Sequence, residues 1–198
     1  KKRNRKMLKP IKIILFSWAI LPLTSPIYAA EIDKDFILQE FQRAQSSPDH
    51  SVSFAVNAPA EFVFYFLSRR VNRYVSDATG VEFEHSNSET RGQLGSGSER
   101  ITTLANSEKL VQRFLQFDPP YSYAYFTDME KSTLEAPLDY SITRYELSNT
   151  TNETTNLKIS VVYRSSSRLL GFFVRRAFVS ALEKDFEKAV EIMEIEFR

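Results

Sequence analysis

The chain has 198 residues, no cysteine, two histidines, and a formal net charge of +1 from 26 Lys+Arg and 25 Asp+Glu. The missing cysteines exclude disulfides, thiolate catalysis, cysteine metal sites and lipid attachment through a thiol. Seven of the basic residues and none of the acidic ones fall in residues 1–30, so residues 31–198 hold 19 basic against 25 acidic side chains, a net −6, which argues against nucleic acid as a partner.

The N-terminal segment accounts for that asymmetry. Lys1, Lys2, Arg3, Arg5, Lys6, Lys9 and Lys12 precede the uncharged apolar run 13–24, and Ser25-Pro26-Ile27-Tyr28-Ala29-Ala30 ends just ahead of Glu31. Basic, apolar, small: that order predicts a signal peptide over residues 1–30, cleaved near Ala30, and export to the periplasm or beyond. The apolar run is shorter than the ~20 residues of a membrane span. Tyr28 is bulky for the position before a cleavage site, so an uncleaved N-terminal anchor is the alternative. Met7-Leu8-Lys9-Pro10 reads as an ordinary signal-peptide start, which places residues 1–6 upstream of the true one.

Residues 31–50 form a charged lead-in. Ile32, Phe36, Ile37 and Phe41 recur at near-helical spacing and Ser46-Ser47-Pro48-Asp49 ends the pattern, predicting a short helix packed outside the main domain, 51–198. Ser51 to Asn57 alternates apolar and polar, as a half-buried strand does. A helix then starts near Ala58-Pro59-Ala60-Glu61, with Asn57 as its cap and Phe62, Val63, Phe66 and Leu67 as its stripe. Residues 72–80 read as a second short helix or turn.

Beyond Gly80 the period is two. Residues 81–85, 98–104, 109–117, 121–128, 138–147 and 157–164 read as six strands separated by turn-formers, which implies hairpins and an antiparallel sheet. Residues 168–197 change period again. Leu170, Phe173, Val174, Ala177, Phe178, Ala181, Leu182, Phe186, Ala189, Val190 and Met193 recur at threes and fours, opposite Lys184, Glu187, Lys188, Glu191 and Glu194. This predicts one long helix whose stripe needs the hollow face of the sheet as its partner.

The whole is an α+β reading. It has about seven antiparallel strands curved around a long C-terminal helix, with two short helices after the first strand. Four segments resemble the helix-grip, START-like (SRPBCC) superfamily, and within it the polyketide cyclase/dehydrase and lipid-transport group. They are Val52 to Phe64 with its Ala-Pro-Ala-Glu helix start, Gly95-Ser96-Gly97-Ser98-Glu99-Arg100, Phe117-Asp118-Pro119-Pro120-Tyr121, and Leu157 to Tyr163. Thr154-Thr155-Asn156 departs from the glycine-containing turn usual before the last strand. The resemblance implies a cavity between sheet and helix that holds an apolar small molecule or lipid; neither His50 nor His85 fits a metal spacing, and no cofactor is expected. A cyclase/dehydrase-type enzyme is the alternative, and a non-catalytic envelope interaction protein the second.

Phe83, Phe114, Tyr123, Tyr125, Tyr145 and Tyr163 from the strands, with Phe173 and Phe178 from the helix, are the candidate ligand contacts, because aromatic walls with a few hydroxyls describe a small-molecule site. Plain core is the competing reading for each. His85 and Tyr145 are the candidate acid–base groups; a surface histidine near a hairpin is the simpler account of His85. Gly92-Gln93-Leu94-Gly95-Ser96-Gly97 lacks the following Gly-Lys-Ser/Thr of a phosphate loop and is read as a turn. Arg168, Arg175 and Arg176 flank Phe172-Phe173, an arrangement suited to transient membrane contact or simply to a helix surface.

Overall fold

The computed structural model describes residues 34–151, 153–166 and 171–198, with only the backbone for 171–175 and 177. The expected signal peptide, Arg168 and Leu170, and the side chains of Phe172, Phe173 and Arg175, therefore lie outside the described residues.

The elements run α1 (Lys34–Ser46), β1 (His50–Val56), α2 (Ala60–Arg69), α3 (Val71–Tyr74), β2 (Ala78–Glu84), β3 (Glu99–Leu104), β4 (Lys109–Asp118), β5 (Ser122–Asp128), β6 (Leu138–Thr151), β7 (Thr154–Ser165) and α4 (Gly171–Phe197). All seven strands form one antiparallel sheet in the order β1-β7-β6-β5-β4-β3-β2. β2 to β7 is a meander of hairpins, and β1 joins the far edge of β7, with Phe54 opposite Leu157 and Val52 opposite Ile159. Register shifts in β2, β4 and β6 mark bulges, which bend strands and increase their twist.

Three expectations are corrected here. β2 starts at Ala78, three residues earlier than expected, and the polar stretch 149–156 is mostly ladder: Ser148 pairs with Asn156, and Asn149 with Thr155. Thr155 Oγ1 also donates to Ala58 O at 2.7 Å, so a residue read as turn is a fully buried strand position. Asn57 does not cap α2. Pro59 holds that position without a side-chain cap bond, while Asn57 donates to Glu194 Oε1 from Nδ2 (2.8 Å) and from its backbone N–H (3.1 Å), tying this corner to the end of α4.

Apolar residues collect on both faces of the sheet. On the hollow face, Tyr123, Tyr145, Phe114, Leu157 and Ile159 pack with Phe66, Leu67 and Tyr74, and with Phe186, Ala189 and Met193 of α4. Burying Phe186 and Met193 contributes roughly 1.5–3 kcal/mol each. On the outer face Phe126, Tyr140, Ile142 and Val162 pack against Ile37 and Ala44 of α1. The lead-in helix is therefore the second cover of the sheet and shares one compact unit with it, Ile32–Arg198. Among the described residues no helix is long and apolar enough to cross a membrane.

Candidate functional site

α4 does not press on the sheet along its whole length. From Phe186 to Met193 its stripe is buried, while Leu182 and Phe178, one and two turns earlier, are half-buried. Beneath that end lies a cavity of about 230 Å³. Its roof is apolar: Val71 of α3 and Val75 just after it, Met129, Leu134 and Ala136 from the β5–β6 connection with Leu138 at the start of β6, and Phe178, Leu182 and Phe186 from α4. Its floor comes from the strands and is polar: Arg100, Thr102, Gln112, Thr127, Ser141 and Thr143, with Tyr125 and Tyr145. Of the six strand aromatics expected to line it, Tyr125 and Tyr145 are in the lining. The apolar surface comes largely from the helices and a loop, and the sheet supplies hydrogen-bonding groups.

Register explains which aromatics meet. Tyr123 lies opposite Tyr145, and Phe114 opposite Tyr125. Strand side chains alternate, so Tyr123 and Tyr125 share the inward face. Phe117 lies three residues beyond Phe114 and would face outward by alternation. The bulge between Phe114 and Gln116 turns it back, so it packs edge-on against Phe114 at 5.4 Å and lies opposite Tyr123. Tyr125 and Tyr145 line the cavity, their hydroxyl oxygens 3.1 Å apart and sharing one hydrogen bond. Phe178 lines it too, 5.0 Å from Tyr163 between ring centres. Phe114 and Tyr123 are buried in the core rather than on the cavity wall, and Phe83 and Tyr163 are half-buried beside that core. Of the helix-start arginines, Arg176 is exposed.

His85 stands apart. It follows β2, its Nδ1 3.1 Å from Ser98 Oγ and its ring stacked on Phe83, and it is not a lining residue. Asp139 and Glu146 bond separately: Asp139 accepts from Arg164 Nε at 2.8 Å, and Glu146 pairs with Arg144. The described residues contain no His/Asp/Glu group able to hold a metal ion.

Sequence reasoning missed Arg100 as a site residue. It is completely buried on the cavity floor, opposite Gln112 in the β3–β4 register. Nε and Nη2 donate to Gln112 Oε1 at 3.0 and 2.7 Å, and Nη1 donates to Ser68 O at 3.2 Å and Leu67 O at 3.4 Å. Those carbonyls belong to the last turn of α2, where the helix leaves acceptors unpaired and its dipole favours a cation. The guanidinium also lies over the Tyr125 and Phe114 rings, 4.8 and 5.6 Å from their centres. Burial opposes the charge on Arg100, but the oxygens of Tyr74, Tyr125, Tyr123 and Tyr145 favour it, and the balance lies above the ordinary arginine value. Burial, the largest cause, lifts the hydroxyls of Tyr145 and Tyr123 well above 10, so both are neutral donors at pH 7.

No protein-family model and no curated protein matches the sequence. Solved structures match it in shape. XoxI from Bacillus cereus superposes with a TM-score of 0.58 at 10% identity, over 75% of this chain and 98% of its own. Norcoclaurine synthase from Thalictrum flavum, in complex with dopamine and hydroxybenzaldehyde, gives 0.54 at 14% identity over 75% and 87%. The Zhui aromatase/cyclase from Streptomyces sp. R1128 gives 0.52 at 14% identity over 75% and 94%. Likeness at such identities is likeness of fold. A seven-stranded antiparallel sheet closed around a C-terminal helix, with two short helices after its first strand, is the START-like helix-grip fold, and this chain has it.

Proposed function

We propose that this protein binds an apolar small molecule between its sheet and α4, in the cell envelope after export directed by residues 1–30. The observation that carries the binding reading is the cavity of about 230 Å³ beneath an apolar roof. That volume lies just below the ~300–1,000 Å³ common for drug-sized ligands, and favours one or two rings or a short chain over a whole lipid. The small aromatics held by norcoclaurine synthase on the same fold support the same scale. Export rests on the basic, apolar, small order of the N-terminal segment.

The neutral fluorophore N-phenyl-1-naphthylamine tests the binding. One molecule is expected to bind per chain, and Leu182→Trp, which fills the cavity from α4, is expected to weaken it at least tenfold. Saturable binding unchanged by Leu182→Trp, or none at all, overturns the reading. Cell fractionation tests export: full-length chain retained in the cytoplasm removes that part.

A cyclase/dehydrase-type enzyme is the second reading, and one observation favours it: Tyr145 faces the cavity with Tyr125 as its polar partner. Kept neutral by burial, Tyr145 would act as a hydrogen-bond donor or acid toward a carbonyl, not as a base. Turnover that falls in Tyr145→Phe while binding holds is its mark; equal turnover in the variant removes it.

A further inference from the structure

Arg100 carries a full positive charge in the interior, and every group bonded to it is neutral. Its acceptors are one side-chain amide and two backbone carbonyls. No carboxylate among the described residues forms an ion pair with it. Among the described residues the cavity lining contains one acid, Asp185, and that group is half-buried and accepts from Ser76 N–H (3.2 Å) and Oγ (2.8 Å). The tyrosines nearby are held neutral by burial. The end of α2 offsets part of the charge, on the order of half an elementary charge for a whole helix terminus. A cation held only by neutral acceptors keeps charge with which to attract an anion in the cavity.

Two further groups on the same patch can donate to an acceptor in the cavity. Gln112 receives both Arg100 bonds on Oε1, which fixes the amide so that Nε2 is a donor, and Nε2 bonds no other described residue. Thr102 sits two positions from Arg100 on the same face of β3; it is fully buried and its Oγ1 has no hydrogen-bond partner among the described residues. All three side chains line the cavity. In the Tyr125–Tyr145 pair one hydroxyl proton lies between the two oxygens and the other is left to donate elsewhere. The floor therefore offers one cation, one amide donor and several hydroxyls, each of which can donate. Its complement is a group that only accepts and carries negative charge.

We propose that the ligand is an apolar molecule bearing one carboxylate, seated with its charge on Arg100, Gln112 and Thr102 and its body under α4. This narrows the binding reading above and rests on it. The cavity volume of about 230 Å³ favours an aryl or short-chain carboxylate over a long fatty acid. A purely structural Arg100, a strut between the sheet and α2, accounts for its hydrogen bonds. It does not account for the unpaired donors beside it.

Calorimetric titration of the purified full chain with 2-naphthoate and 2-naphthamide at pH 7 separates the two. The probes share shape and differ in charge. 2-Naphthoate is expected to bind at least tenfold tighter than the amide. Arg100→Gln should bring the two to within twofold. Thr102→Val, which removes only a hydroxyl, should weaken the acid severalfold, leave the amide within twofold, and carry the test should Arg100→Gln fail to fold. Equal affinities in the unmodified protein, or a preference that survives both substitutions, overturn the anion site and leave cavity binding standing. Binding of neither probe overturns both.

Discussion

Tyr123 and Tyr145 stack face to face across the β5–β6 ladder, their ring centres 4.2 Å apart and their planes 10° from parallel. The pair separates core from cavity. Tyr123 packs against Phe64 at 5.3 Å, and Tyr145 meets Phe186 of α4 at 5.7 Å and forms part of the cavity wall. Tyr123→Ala should cost about 3–5 kcal/mol, the usual range for a large aromatic truncated in a core. Tyr145→Phe keeps the stack and loses one hydroxyl, so about 1.5 kcal/mol or less is expected. Urea unfolding measures both; comparable losses would show that the ring contact is not what matters.

Thr102→Val should stabilise the ligand-free protein. The hydroxyl is buried and has no partner among the described residues, and removing such a group recovers about 1 kcal/mol, or roughly 2–4 °C in Tm for a domain of this size. A lower Tm would mean that water satisfies this hydroxyl in solution.

The outer face carries a pH dependence. Burial raises the Glu40 carboxyl, but hydrogen bonds from Arg43 and Tyr140 outweigh it and hold the group below its ordinary 4.5. A carboxylate depressed in the folded state contributes stability above its unfolded value and loses it as pH falls through the folded one. Unfolding free energy should therefore decline as pH drops below about 4.5, with α1 loosening first. Glu40→Gln is expected to cost about 1.5–3 kcal/mol at pH 7 and to flatten that decline, read from urea midpoints between pH 7 and 3. An unchanged slope in the variant would assign the acid sensitivity elsewhere.

Gly97→Ala should be among the most damaging small substitutions. Gly97 has φ +86°, a Cβ there would lie 2.0 Å from Asn87 O, and its N–H donates to Phe114 O at 2.8 Å. A loss of at least about 2 kcal/mol is expected, since both the backbone conformation and the space are closed to a side chain. Gly92→Ala, with φ +70° but open space, should cost only about 1 kcal/mol. Thermal unfolding of the two variants compares them; equal losses would show that the Asn87 contact yields.

How far the site could be read before folding differs from strand to strand. On β5 and β6 the spacing of Tyr123, Tyr125 and Tyr145 was enough to find inward aromatics, two of which line the cavity. On β3 the pattern misleads. Glu99-Arg100-Ile101-Thr102 suggests Ile101 inward and Arg100 outward, yet Arg100 and Thr102 are fully buried and Ile101 is half-buried. Phe117 is similar, since one bulge residue reverses the face that alternation assigns. His85 carried suitable chemistry, but its place after β2 keeps it off the cavity wall.

Local periodicity by itself determined the kinds and order of elements: period two over the strands, threes and fours along α4, and the need of that apolar stripe for a sheet to cover it. Those signals come from neighbours a few residues apart, whose spacing sets which side chains share a face. Where a gap remains between α4 and the sheet, and which polar groups line it, only the tertiary structure decided. Arg100 reaches Ser68 O, 32 residues away, and Gln112, 12 away, through strand register and a helix end. A hydrophobicity pattern records the average preference of each side chain for burial, and a charge held inside by distant neighbours is an exception that only those neighbours reveal.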